Sequence, residues 1–200
     1  MNATLPPATT APQLAPPGAG LPFPESWIVR LLGRWMLRRR YSRATALDEI
    51  ERTTQRLLDK TASLSTDQLT TPKLIDRLRG MEDSSRFWSP SMVLEHLCIT
   101  GKGTTRFILL LSKGSHPDRV VSTATVKPTG KDPALVREEF RTLHTGLRQQ
   151  LAEGAGDQWD GLTHAHPWFG PLTAGDWLCM MAMHMQLHEQ QLDRILKPGG

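Results

Sequence analysis

Ser89-Pro90 and Asp132-Pro133 each set a helix-capping side chain directly before a proline. Ser and Asp accept hydrogen bonds from the free amides of a first helical turn, and proline fits the first helical position because its missing N–H would find no partner there. Thr173 and Asp176 form a third start of the capping-box kind, and Thr45 with Asp48 a fourth. Trp88 with Val93, and Leu172 with Trp177, stand where a hydrophobic staple would hold the incoming chain. Four helices are therefore predicted, over residues 45–64, from Ser89 to about Leu111, from Pro133 to near Gly154, and from Thr173 to about Leu196, where Pro198 forbids continuation. No segment reads as a sheet, and residues 119–126 are too short a run to stand alone as one. The expected fold class is all-α, a four-helix bundle over residues 45–197.

Two segments precede it. Residues 1–24 hold a large share of the 15 prolines, no charge and no apolar periodicity, so they are expected to form a disordered Pro/Ala-rich tail. Proline and alanine interrupt every short apolar run there, which excludes a secretory signal, and no run of about 18 apolar residues exists to span a membrane. Cys98 and Cys179 lie inside helical patterns and outline no disulfide framework, so a cytoplasmic, bacterial-type protein is expected.

Residues 25–44 read as an additional basic amphipathic helix. Trp27, Leu31 and Trp35 recur at helical spacing, and Arg30, Arg34 and Arg38 run down another face. Its stripe is expected to pack on the bundle with the arginines in water; the alternative is peripheral membrane contact through residues 25–43. Six arginines there oppose Glu25 alone, a net +5, so from a total of +4 the rest of the chain is left at about −1. A nucleic-acid binder would spread its basic residues over the folded surface, so nucleic acid is not an expected partner.

His184 and His188 are four apart in the predicted fourth helix, among Met and Leu, and so share one face. His96 has a similar apolar setting in the second. Facing helices of a bundle core are where metal sites are built, and three imidazoles with one open position is the ligand count of a catalytic site. Spacing alone leaves an equal alternative: core histidines hydrogen-bonded to backbone or water.

The residues carry a resemblance. Residues 88–97, WSPSMVLEHL, resemble the opening of the second helix of DinB-like proteins, with its metal histidine at His96. Residues 166–173, HPWFGPLT, followed by Trp177, resemble that superfamily's lead-in to its fourth helix, and His184-x-x-x-His188-x-x-Gln191 its paired ligands and following glutamine. The resemblance spans residues 45–196 and implies a divalent metal, zinc or nickel, on His96, His184 and His188. It further implies a thiol S-transferase using a low-molecular-weight thiol, or a metal-dependent hydrolase, acting on a small-molecule substrate, and a homodimer. A non-enzymatic metal-stabilised bundle, serving as a stress-related or membrane-surface interaction protein, is the competing reading.

No catalytic residue is named. The H-E-x-x-H arrangement is absent, and Glu95 and Glu189 each adjoin a histidine, about 100° round the helix from it, where neither should face the metal. Gln191, on the face of His188, could orient a bound water or a ligand imidazole; an inter-helix amide is the equal alternative. His164 and His166 lie in the loop before the fourth helix, near the mouth it would form, and His166 is expected to cap or pack there. Gly103, two turns from His96, wants a reason: close helix crossing is the commoner one, room for a ligand the other. Cys98 and Cys179 are expected to be buried hydrophobes turned away from the metal.

Overall fold

The computed structural model describes residues 12–197, so that residues 1–11 of the tail and Pro198 lie outside it. Seven helices occupy the described residues: α1 (Glu25–Arg40), α2 (Arg43–Ala62), α3 (Thr66–Thr70), α4 (Pro90–Ser112), α5 (Pro133–Thr145), α6 (Leu147–Gly154) and α7 (Ala174–Leu196). The bundle is α2, α4, α5 and α7. Helix α7 packs between α2 and α4, and α5 lies across from it against the same two.

The starts of α4, α5 and α7 are the expected ones. Ser89 accepts from the Met92 amide, Asp132 from those of Ala134 and Leu135, and Thr173 and Asp176 cap each other reciprocally. Helix α2 starts earlier than expected, because Ser42 is its cap and Thr45 closes the box, leaving Asp48 free to meet Arg148. The helix expected to run to Gly154 is interrupted at Gly146, the residue there with the weakest helix propensity.

Two short ribbons also form where no sheet was expected. Strand β1 (Lys73–Leu74) pairs with β2 (Phe87–Trp88), and β3 (Thr163–His166) with β4 (Gly170–Thr173). The turn from β3 ends at Gly170, the first residue of β4, whose φ of +74° a side chain would disfavour, and β4 leads straight into α7.

The interior is sealed by Ile50 and Leu57 of α2, Leu94, Leu97 and Ile108 of α4, Phe140 of α5 and Trp177 of α7. A Cβ on Gly101 would lie 2.9 Å from Nε2 of His144, so α4 and α5 approach closely there. Gly103 would meet nothing within 4 Å, so close crossing explains Gly101 and not Gly103.

Both N-terminal expectations need correction. Residues 12–24 are placed along the body: the amides of Ala15, Gly18 and Gly20 donate to the carboxylates of Asp83 and Glu82, and Leu21 is buried. The segment has little apolar surface, as read, but its backbone amides meet two carboxylates too distant in sequence to be anticipated. Deleting the chain through Pro24 is accordingly expected to destabilise it by about 1–2 kcal/mol, since Glu82 keeps Lys127 and Thr123 but loses two amide donors. Urea denaturation of the truncated protein checks this; an unchanged midpoint would contradict it.

Helix α1 does pack on the bundle, but with the opposite face. Gly33 and Leu37 are buried, and a Cβ on Gly33 would sit 2.5 Å from the Phe169 ring. Arg34 and Arg38 turn inward to Asp176, at 2.7 and 2.6 Å. The reason is Asp176, a carboxylate only 1% exposed, which needs cationic donors more than the core needs another apolar stripe. Trp27, Ile28, Leu31, Leu32, Trp35 and Met36 are left facing outward. Among the described residues no helix is long and apolar enough to cross a membrane.

Candidate metal centre

The caps of α4 and α7 set the phase of both helices, so that His96 on one and His184 and His188 on the other meet on a single cavity wall. Nε2 of His184 lies 3.3 Å from Nε2 of His96 and 3.1 Å from Nε2 of His188, and all three histidines offer a donor atom within 4.8 Å of the others. A tetrahedral ion bonded at about 2.0–2.1 Å sets its donor atoms about 3.3 Å apart, so the spacing is right for one.

The outer ring nitrogens decide what those Nε2 atoms carry. Nδ1 of His96 lies 2.7 Å from the Val126 carbonyl, which can only accept, so the proton is on Nδ1 and Nε2 holds a lone pair. Gln191 donates its Nε2 to the Ser85 carbonyl and turns Oε1 to Nδ1 of His188 at 2.6 Å, fixing the same tautomer there. Two unprotonated nitrogens thus point at the nitrogen of His184, which can donate one proton at most. A cation satisfies all three. Burial holds His96 and His184 well below the ordinary histidine range and pushes His188 down to about 4, so the neutral, metal-ligating form is favoured.

The groups behind the triad come from distant segments. Val126 ends a 3-10 turn, Thr123–Val126, that Thr123 and Lys127 tie to buried Glu82. Glu95 faces away from the triad and gathers the backbone amides of Thr129, Gly130 and Lys131. Glu189 also faces away, to Arg56 and Lys60. The Trp88 ring stacks on His188, 9° from parallel, and tilts over His96 at 5.0 Å. Sequence reasoning missed Val126, Ser85 and this use of Trp88. Main-chain carbonyls leave no residue-type signal, and only Trp88 had one, its place beside the Ser89 cap.

The remaining candidates fall outside the triad. Nδ1 of His166 accepts from the amides of Trp168 and Phe169, so it caps the turn from β3 to β4. His164 packs against Phe107 and Trp177. Burial pushes the Cys98 thiol up to about 12 and that of Cys179 up to about 11, and both donate to backbone carbonyls, of Val136 and Tyr41. The triad opens on a cavity of about 180 Å³ whose wall includes Phe107, Trp168 and Met181, with Gly103, Arg106 and Arg119 also along it.

The family model described as the DinB superfamily matches residues 49–192, well over half of the chain. The crystal structure of TT2238, a four-helix bundle protein, is similar with a TM-score of 0.51 at 24% identity, over 76% of this chain and 98% of that one. At that identity the likeness is one of fold. No curated protein matches the chain.

Proposed function

The chain belongs to the DinB superfamily, and from that premise we propose that it is a metal-dependent enzyme acting on a small molecule, with His96, His184 and His188 as ligands of a zinc or nickel ion. The observation that carries this reading is the meeting of three Nε2 atoms, two of them held unprotonated, on the wall of a cavity. When bound, such an ion supplies Lewis acidity and makes a water or thiol a nucleophile near neutral pH. That suits a thiol S-transferase, with a low-molecular-weight thiol as one substrate, or a hydrolase.

The surrounding side chains have separate tasks. Val126 and Gln191 hold two imidazoles in tautomer and orientation. Phe107, Trp168 and Met181 shield the site from bulk water, and Gly103 leaves room for a substrate on the face of α4 that carries His96. Arg106 and Arg119, at the same cavity, offer cations to an anionic substituent.

Metal analysis of the purified protein, run beside thiol-conjugation and hydrolysis assays, tests the proposal. Gly103→Phe is expected to keep the full metal content while lowering turnover at least about tenfold, because its ring would fill the cavity. A second reading rests on Glu95 and Glu189 facing away, while Glu82, a carboxylate that does line the cavity, is engaged by Thr123 and Lys127. The metal then only ties α4 to α7, so its removal should lower the melting temperature while Gly103→Phe changes no ligand-dependent property. That pair of results would replace the enzyme with a metal-stabilised bundle.

A further inference from the structure

The outward face of α1 is the largest apolar feature left without a partner among the described residues. Trp27 is 59% exposed, Leu31 57% and Trp35 57%, and Ile28, Leu32 and Met36 extend the same face. Phe23, 82% exposed, continues it one turn before Trp27. Two tryptophans, a phenylalanine and four aliphatic or thioether side chains expose on the order of several hundred Å², more than scattered surface residues account for.

Charge indicates what covers this face. The only acid in α1 is Glu25, which is occupied by Arg77 and the Gly80 amide. Arg39 lies one turn from Trp35, with its guanidinium 5.3 Å from the Trp35 ring centroid, and Arg30 and Arg43 are exposed nearby in the chain. A second copy presenting the same face would bring like charges together. An anionic lipid surface meets both requirements, taking the apolar side chains into its acyl boundary and the guanidinium groups among its headgroups.

We propose that the outward face of α1 docks the protein on an anionic membrane surface. Arg34, Arg38 and Gly33 moor the inner face of the helix to the bundle, so the surface is already formed and needs no folding on contact. This proposal is independent of the metal centre.

Co-sedimentation of the full chain with vesicles decides it. The expected result is binding to vesicles of equal phosphatidylserine and phosphatidylcholine at low salt, and little to phosphatidylcholine alone. Binding should weaken as ionic strength rises from about 0.01 to about 0.15 M and the screening length falls from about 30 to about 8 Å. Leu31→Glu with Trp35→Glu is expected to weaken it at least about tenfold. Arg39→Gln is expected to reduce the preference for the anionic vesicles while metal content and circular dichroism stay unchanged. Absence of binding at low salt would overturn the proposal, as would equal binding to both vesicles. So would a concentration-dependent doubling of mass, abolished by the Leu31→Glu, Trp35→Glu pair, without vesicle binding; the face would then join two copies.

Discussion

Replacing His184 with Ala is expected to abolish stoichiometric metal binding and leave the helices intact. Its Nε2 is the vertex of the triad, 3.3 and 3.1 Å from those of His96 and His188, so the variant keeps two ligands from different helices and no third. Partners that only orient a ligand cost about 10–100-fold in metal affinity when removed, and loss of the ligand itself should exceed that. The bundle should tolerate the change, because His184 lines the cavity and the core layer of Trp177, Leu178 and Leu192 is untouched. Mass spectrometry of the native protein reads the metal, and circular dichroism the helices. A variant that retains one metal per chain would remove His184 from the site and the proposed triad with it.

Asp176→Ala should be the most destabilising of the changes considered, by about 2–3 kcal/mol. The carboxylate closes the capping box of α7, worth about 1 kcal/mol, and accepts from Arg34 and Arg38. Charge-assisted bonds contribute about 1.5–3 kcal/mol where both partners are buried, but Arg34 and Arg38 are 40% and 47% exposed and regain water, so the lower part of that range applies. Without Asp176 the inner face of α1 loses its mooring, and proteolysis within α1 should accelerate.

The effect has a pH signature. Burial alone would raise the Asp176 carboxyl, but the Arg38 guanidinium and the Thr173 amide and hydroxyl outweigh it and hold it below its ordinary value. A carboxyl lowered by folding contributes fully above its unfolded pKa of about 4 and loses that contribution as pH falls through the folded value. The stability gap between wild type and variant should therefore be widest near neutrality and narrow below about pH 4. Glu49, pushed down to about 2 against Arg52 and Arg56, makes both proteins acid-labile, but it is common to both and leaves the difference to Asp176. Urea denaturation at neutral and acid pH would show this, and a gap independent of pH would contradict it.

What was legible in the sequence is what short-range chemistry decides. A cap is a bond between a side chain and an amide two or three residues on, so Ser89, Asp132 and Thr173 marked their helices without any knowledge of the fold. The four-residue spacing of His184 and His188 put both on one side of α7, and the order of the motifs pointed to the family that the match over residues 49–192 shows. The start of α2 was misplaced by the same kind of evidence, because Ser42 and Thr45 compete with Thr45 and Asp48 at equal spacing.

Contacts across the fold decided the rest. The proton positions of His96 and His188 depend on the carbonyl of Val126, 30 residues from His96, and, through Gln191, on that of Ser85, 106 residues from Gln191. Residues 12–24 found their partners in Glu82 and Asp83. The periodicity of α1 showed two faces, apolar and basic, and the usual preference would bury the apolar one. A carboxylate 142 residues from Arg34 reversed that choice, because a buried charge left unpaired costs more than an apolar stripe left in water.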